Sequence, residues 1–145
     1  MSAILYDVNV WIALAFSTHP KHLDAKARFE SASRHDPAIF CRATQQSFLR
    51  LVTTPAIQKS YRAELITNEI AWDRWEILAA MPQVLFLGEP PDLPRQWATY
   101  AQLKTASPKV WMDAYLAAFA NAYGVPLLTL DKDFQQFEAL DVRML

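Results

Sequence analysis

Three aspartates stand in apolar surroundings, where a charged side chain needs a reason. Asp7 follows the segment AILY, Asp131 follows PLLTL, and Asp113 lies near the start of the apolar stretch WMDAYLAAFA. A buried carboxylate is unfavourable unless it is paired, hydrogen-bonded or bound to a cation. If the three side chains converge, they need a neutralising cation or a shared proton. An all-oxygen cluster suits Mg²⁺ or Mn²⁺ rather than zinc, and such an ion promotes phosphodiester hydrolysis.

Each of these aspartates also has a structural interpretation. Asp7 fits a cap for the helix that follows it, Asp113 fits the carboxylate preference of a helix start, and Asp131 fits a turn with Lys132 and Asp133. The joint interpretation is favoured because Asp7 and Asp131 both follow apolar strands. In open α/β sheets, ligands bind in the crevice beyond the carboxyl ends of the strands. We therefore expect these two acids to face one another across that crevice.

Short apolar segments alternate with amphipathic ones, which predicts βα crossovers and a mostly parallel sheet. Strands are predicted at 3–7, 38–42, 84–88 and 125–130, with 142–145 as a further edge strand. Helices are predicted within 7–16, 22–34, 44–53, 61–81 and 111–124, and around Trp97, Tyr100 and Leu103. The 145 residues, without linkers, repeats or low-complexity tracts, predict a single α/β domain over 1–145.

Local signals predict where these helices begin and end. Asn9 is predicted to cap the first helix and Thr44 the helix after the second strand. Pro55 is expected to end that helix, because the residue before a proline avoids helical geometry. Gly124 is expected at the C-cap of the apolar helix. The apolar residues predicted for two helix faces are Leu23, Ala27 and Phe29 in 22–34, and Leu65, Ala71, Trp72, Trp75 and Leu78 in 61–81.

Composition excludes several functional classes. The two glycines, Gly88 and Gly124, cannot form either Gly-rich phosphate-binding motif, and the single Cys41 excludes internal disulfides and multi-cysteine zinc sites. The net charge of −1 provides no overall basic field, so a nucleic acid must be held by a local patch or through a metal. Without an apolar run of membrane-span length or a secretory signal, we expect a cytoplasmic protein and no membrane partner.

Four segments, in their order and spacing, resemble the PIN-domain ribonucleases, and specifically the VapC-type toxins of toxin–antitoxin pairs. They are LYDVNVWIAL at 5–14, FLRLVTTP at 48–55, WMDAYLAAFA at 111–120 and LLTLDKDF at 127–134. The resemblance implies a PIN-like three-layer α/β/α fold with a mostly parallel central sheet of four to five strands. It also implies Mg²⁺- or Mn²⁺-dependent endonucleolytic cleavage of RNA, often tRNA or rRNA, and restraint by a cognate VapB-like antitoxin.

The resemblance also assigns roles within these segments. By position, Asp7, Asp113 and Asp131 match the catalytic, metal-binding aspartates of the family. Asn9 matches a polar position that supports the first aspartate, and Thr129 matches the threonine that precedes the last acid and hydrogen-bonds the cluster.

One position departs from the family pattern. Many relatives carry a glutamate three residues before Arg50, where this chain has Ser47. We expect weaker metal binding, because one negative ligand is missing. A neutral oxygen from Gln45 or Gln46, a water molecule, or the carboxylate of Asp133 are the candidate substitutes.

Basic and aromatic side chains near the predicted crevice are candidates for contact with RNA. They are Arg50, Lys109, Trp111 and Lys132, with Arg42 nearby. For each basic residue the alternative is a solvated surface charge, and for Trp111 it is packing. Given the small net charge, we expect modest nonspecific RNA affinity and a shallow dependence on salt. The H-x-x-H pair formed by His19 and His22 is expected to have a structural role rather than to bind a metal.

Two other functional classes and two assemblies follow from the same residues. A phosphomonoesterase of the haloacid-dehalogenase type also places Asp after its first strand, but usually as D-x-D, and the residue two positions on is Asn9. An RNA- or protein-binding module that has lost catalysis is motivated by Ser47. For partners, we expect an antitoxin segment across the cleft and a homodimer, with the helix that carries Trp72 and Trp75 as the candidate contact surface.

Overall fold

A five-stranded parallel sheet lies at the centre of this computed structural model, which describes residues 3–145. Its strands are β1 (Ile4–Tyr6), β2 (Ala38–Phe40), β3 (Val84–Phe86), β4 (Leu127–Thr129) and β5 (Val142–Met144). The order across the sheet is β3-β2-β1-β4-β5, and each neighbouring pair is parallel. Because β1 and β4 are neighbours, the residues that follow them emerge side by side at the carboxyl edge.

Within residues 3–145, seven α-helices and one 3₁₀ helix cover the sheet. The α-helices are α1 (Val8–Ala15), α2 (His22–Ser31), α3 (Arg42–Val52), α4 (Pro55–Ser60), α5 (Asn68–Ala79), α6 (Leu93–Ala101) and α7 (Val110–Tyr123), and the 3₁₀ helix is Lys132–Gln136. Each central strand sends alternate side chains to opposite faces. Tyr6 joins a core with α1, α2, α3 and α5, whereas Leu5 joins a second core with α6 and α7. The predicted three-layer α/β/α architecture is confirmed.

One buried tryptophan connects the first helix to the sheet. Trp11 on α1 has no exposed surface, and its ring stacks on Phe40 with centroids 3.8 Å apart and planes at 11°. Tyr6 packs against it at 4.9 Å, and Phe29 of α2 meets its edge at 5.9 Å. These contacts fix the direction in which α1 leaves β1, and therefore the position of the residue between them.

Several predicted boundaries and buried faces are wrong. α5 begins at Asn68 rather than near residue 61, because the Thr67 hydroxyl caps it by accepting from the Ile70 amide at 3.2 Å. Leu65 therefore lies outside the helix and is exposed. In addition, Pro55 begins the short helix α4, which the sequence analysis did not predict.

Several apolar residues predicted to face the core from α2, α5 and α6 are exposed instead. α2 buries Ala25 and Phe29, whereas Leu23 and Ala27 are exposed. Leu103 lies beyond the end of α6 and is also exposed. In α5, Trp75 is buried as predicted, but Trp72 is 49% exposed. Tertiary packing rather than local periodicity decides which side of these helices faces the core.

Two predicted caps are also wrong, and one is confirmed. Asp7, not Asn9, caps α1, because its carboxylate accepts from the Val8 amide at 2.7 Å. The N-cap of α3 is Cys41, and Thr44 lies within the helix, where its hydroxyl accepts from the Cys41 amide at 3.0 Å. Gly124 ends α7 with φ of 64°, the left-handed conformation that glycine adopts without strain.

Replacement of Trp11 tests the role of this residue in holding α1. We expect Trp11→Ala to lower the free energy of unfolding by about 3–5 kcal/mol, since it leaves a large cavity. Trp11→Phe should cost clearly less, because the buried indole N–H has no hydrogen-bond partner within residues 3–145. Urea unfolding measures both, with Trp72→Ala as the half-exposed control. Equal losses for the alanine and phenylalanine variants would contradict this account.

Candidate active site

The Asp7 carboxylate lies at the junction of β1 and α1 and is only 6% exposed. Its backbone amide donates to the Leu128 carbonyl of β4 at 2.9 Å, which continues the pairing of the two strands. One carboxylate oxygen accepts from the Val8 amide at 2.7 Å, and the other accepts from the Thr129 hydroxyl at 2.8 Å. Asp7 is therefore a helix cap and, at the same time, the buried acid of the crevice.

Thr129 and Asn9 tie the end of β4 to the start of α1. The Thr129 hydroxyl, which donates to Asp7, accepts from the Asp131 amide at 3.0 Å and from the Asn9 side-chain amide at 3.3 Å. The Asn9 carbonyl oxygen in turn accepts from the Leu130 amide at 3.2 Å. Two of the candidate acids are thus held relative to each other by a single hydroxyl group.

Lys109, just before α7, connects the remaining acids. Its ammonium nitrogen lies 2.5 Å from Asp131 Oδ2, 3.2 Å from Asp133 Oδ2 and 3.6 Å from Asp113 Oδ2. Asp131 also caps the 3₁₀ helix by accepting from the Asp133 amide at 2.9 Å, so the turn predicted at this residue is present as well. The positive charge of Lys109 therefore lies between three carboxylates that come from α7 and from the segment after β4.

The ionisation of these groups follows their surroundings. Burial raises the pKa of Asp7 from 3.8 to about 6, although the hydrogen bonds from Thr129 and Val8 oppose the rise. Burial also raises the pKa of Asp113, against the attraction of Lys109. The hydrogen bond from Lys109 lowers the pKa of Asp131, and the same bond raises the pKa of Lys109. The buried acid is thus the one least readily ionised.

A cavity of about 490 Å³ lies elsewhere, among α1, α2, α3 and α5, whereas one of about 400 Å³ opens onto Asp7 and Asp113. The smaller cavity lies between α3 and the start of α7. Its polar and charged lining includes Asp7, Ser47, Arg50, Lys109 and Asp113, and its apolar lining includes Trp97, Trp111, Met112 and Tyr115.

The other predicted site residues, including Asp131, Asn9 and Thr129, lie outside this lining. Gln45 is buried, and its side-chain oxygen accepts from the Arg42 guanidinium. Lys132 and Asp133 are exposed on the 3₁₀ helix; the Asp133 amide donates to Asp131, and its carboxylate accepts from Lys109. His19 and His22 make local hydrogen bonds, to the Lys21 amide and to the Ala13 carbonyl respectively.

The donor set fits a hard divalent cation in its chemistry. Asp7, Asp113 and Asp131 offer only oxygen atoms, the ligands that Mg²⁺ and Mn²⁺ prefer, and Lys109 already places one positive charge beside two of them. Within residues 3–145, no three acidic, histidine or cysteine side chains are close enough to form a ready-made metal site. A divalent ion at this site would have to draw the acids together in competition with Lys109.

Sequence reasoning missed the role of Lys109 and part of the cavity wall. Lys109 was expected to contact RNA, yet its i,i+4 spacing to Asp113 was a usable signal for a helix ion pair. Trp97 and Tyr115 were assigned no role in the site. Trp97 lies on α6, and its contact with Trp111 of α7 is not predicted by any local spacing.

Comparison with known proteins identifies the family to which the chain belongs. The chain belongs to the PIN-domain family, whose model matches residues 4–140. Within that family its relatives are VapC proteins: it is 39% identical over 143 residues to Ribonuclease VapC41 of Mycobacterium tuberculosis, covering 98% of each chain.

Solved structures share the fold. VapC20 of Mycobacterium tuberculosis, described as a Sarcin-Ricin loop cleaving toxin, superposes with a TM-score of 0.65 at 18% identity, covering 97% of this chain and 99% of that one. A toxin–antitoxin complex from Klebsiella pneumoniae superposes with a TM-score of 0.61 at 17% identity, covering 97% of this chain and 96% of that one. The family resemblance inferred from the four sequence segments is confirmed.

The raised pKa of Asp7 predicts a pH-dependent cost in stability. Because the pKa of this carboxyl is higher in the folded than in the unfolded state, the free energy of unfolding falls as the pH rises from about 4 to about 6. Asp7→Asn removes this ionisation, so its stability relative to wild type should increase by about 2 kcal/mol between pH 4.5 and pH 7.5. Thermal and urea unfolding in EDTA measure the difference, with the exposed Asp73→Asn as control. A pH-independent difference would contradict the prediction.

Proposed function

We propose that this protein is a Mg²⁺- or Mn²⁺-dependent endoribonuclease toxin that hydrolyses phosphodiester bonds in RNA. The observation that carries the proposal is that Asp7 and Asp113, from the end of β1 and from α7, line one cavity. Asp131, after β4, is linked to Asp113 through Lys109 and to Asp7 through Thr129. The relative named Ribonuclease VapC41, at 39% identity over nearly the whole chain, supports RNA as the substrate.

In this proposal, Asp7, Asp113 and Asp131 hold the divalent ion. Such an ion would supply Lewis-acid activation of water and charge stabilisation at the phosphate. The protein's own contribution is to orient the acids. The Val8 amide and the Thr129 hydroxyl fix the two oxygens of Asp7, while Asn9 holds the backbone at Leu130, next to Asp131.

With Ser47 in place of a glutamate, this site carries one negative charge fewer than the site of many relatives. The serine lies in the cavity wall, so no fourth carboxylate comes from α3 at that position. Gln45 does not replace it, because its oxygen is engaged by Arg42. Asp133 is the nearer substitute, since it already shares Lys109 with Asp131 and Asp113.

A non-catalytic binding module is the alternative that a specific observation favours. Ser47 removes an acid, and Lys109 already neutralises part of the remaining charge. A phosphomonoesterase of the D-x-D type has less support, because the second position of that motif is Asn9, whose side chain is bonded to Leu130 and Thr129.

The proposed partners follow from the same family. We expect RNA, of the tRNA or rRNA class, as substrate and a VapB-like antitoxin whose segment lies across the cleft; a related fold is solved as a toxin–antitoxin complex. A homodimer through α5, where Trp72 is half exposed, completes the proposal. No helix within residues 3–145 is long and apolar enough to cross a membrane, and we propose that the protein acts in the cytoplasm.

RNA cleavage tests the proposed activity directly. We expect wild-type protein to cleave single-stranded RNA in Mg²⁺ or Mn²⁺, and EDTA to stop the reaction. Asp113→Asn should lower the rate at least about a hundredfold, more than the loss of a typical outer-shell partner of a metal. Asp73→Asn, which removes an exposed acid of α5, is the matched control. Equal rates for wild type and Asp113→Asn would overturn the proposal.

Restoring the missing acid separates the nuclease from the binding module. Ser47→Glu should raise Mn²⁺ affinity by about tenfold, ~1.4 kcal/mol, above a measurable wild-type affinity. Isothermal titration with Mn²⁺ gives both values. Mn²⁺ binding seen only in Ser47→Glu would favour the non-catalytic module.

Lys109 should compete with the divalent ion for the acids. Lys109→Met removes the ammonium from Asp131 and Asp133, so we expect Mn²⁺ to bind about tenfold more tightly while the metal-free protein becomes less stable. Lys132→Met, one residue from Asp131 but outside the cavity, controls for the general loss of positive charge. An unchanged or weaker Mn²⁺ affinity in Lys109→Met alone would contradict this competition.

A further inference from the structure

The cavity beside the acids has an apolar half that the proposed hydrolysis does not use. Trp111 and Met112, in the first turn of α7, are 53% and 57% exposed, whereas five consecutive residues further along the helix, 116–120, are buried. Large apolar side chains exposed beside a charged crevice are typical of a surface that binds a ligand.

The aromatic wall is fixed in place before any ligand binds. The indole N–H of Trp97 donates to the Trp111 carbonyl at 2.8 Å, and the two rings meet edge to face, with centroids 6.3 Å apart at 82°. Tyr115 packs on the other side of Trp97 at 5.6 Å and 89°. The backbone that presents the exposed Trp111 ring is therefore held by α6.

Ser47 supplies a polar group on the opposite wall. It is only 9% exposed and lines the cavity, yet its hydroxyl makes no hydrogen bond to any residue in 3–145. The hydroxyl oxygen is not sealed off from solvent, because among the described residues the fully buried side-chain polar atom without a partner is the indole nitrogen of Trp11. The Ser47 hydroxyl therefore opens into the cavity, where a ligand atom can form a hydrogen bond with it. The Arg50 side chain, one helical turn further along α3, likewise makes no ion pair or hydrogen bond within the described residues.

We infer that this cavity is a subsite for one unstacked nucleobase of the RNA, adjacent to the scissile phosphate. The base stacks on Trp111, the Ser47 hydroxyl pairs with its edge, and Arg50 contacts a neighbouring phosphate. The inference rests on the proposed function, because the acids on the cavity floor define where the phosphate lies. A base is favoured over other flat ligands because its phosphodiester must reach Asp7 and Asp113, which line the same cavity. Such a subsite selects single-stranded RNA, whose bases are free to leave the stack.

Binding of short RNAs, measured separately from cleavage, tests this subsite. The probes are fluorescein-labelled octa-adenylate and an octamer of the same ribose-phosphate backbone without bases, both measured by anisotropy in Ca²⁺ and checked by gel to remain intact. Trp111→Ala should weaken binding of octa-adenylate by at least about fivefold, in line with the loss of one stacked base. The same variant should change binding of the abasic octamer by less than about twofold, because phosphate contacts remain.

Further variants and a folding check keep the outcome interpretable. Trp111→Phe retains an aromatic face and should restore most of the affinity, whereas Leu23→Ala, which removes an exposed apolar side chain of α2, should leave it unchanged. Thermal unfolding checks that Trp111→Ala folds. The dependence of affinity on salt should be unchanged in Trp111→Ala and shallower in Arg50→Gln. Ser47→Ala should alter the relative affinities for octa-adenylate, octa-uridylate and octa-cytidylate.

The outcomes separate the subsite from the proposed function. Equal loss on both octamers, or no loss in a folded Trp111→Ala, overturns the subsite even if the protein cleaves RNA. Base-dependent loss in Trp111→Ala supports the subsite even if no cleavage is found in Mg²⁺ or Mn²⁺. Wild-type protein that binds the two octamers equally well also overturns it.

Discussion

The buried carboxylate of Asp7 is the constraint on which the rest of the site depends. It terminates the central strand β1, begins α1 and contacts β4 through Thr129. A carboxylate this deeply buried is held in place only because both oxygens accept hydrogen bonds, and even so burial raises its pKa to about 6. An amide at this position would avoid the electrostatic cost of burial. A cation bound beside the carboxylate would offset that cost by stabilising the charged form, in line with the proposed function.

The surrounding structure adapts to that constraint in two ways. Asn9 and Thr129 join the carboxyl ends of β1 and β4, so that Asp7 and Asp131 are positioned by the same hydroxyl group. Lys109 supplies positive charge to the outer acids and lowers the pKa of Asp131. The inner acid is thus protected by burial and hydrogen bonds, and the outer acids by an ammonium group. A divalent ion would satisfy both sets at once.

Much of this arrangement could be predicted from the sequence, because the strongest signals were local. Asp7 and Asp131 directly follow apolar strands, so a parallel sheet was enough to bring them to one edge. Gly124 was identifiable as a C-cap because it directly follows the apolar helical segment, which is also a local signal. The predicted cap at Asn9 was wrong because its side chain bonds to Leu130, 121 residues away, instead of to its own helix. Lys109 bridges the acids, and Trp97 forms part of the cavity wall, only because α6, α7 and the segment after β4 meet in the folded protein. These segments are far apart in the sequence, so local patterns could not predict the contacts.

The most direct test of the central claim is the Mn²⁺ affinity of Asp7→Asn, measured by isothermal titration at pH 7.5. This substitution keeps the size of the side chain and removes the negative charge of the carboxylate, which is the charge proposed to bind the cation. The account predicts an affinity at least about tenfold below wild type, in a protein that is no less stable than wild type without metal. Wild-type Mn²⁺ affinity in Asp7→Asn would contradict the claim that the buried carboxylate is there to bind a cation.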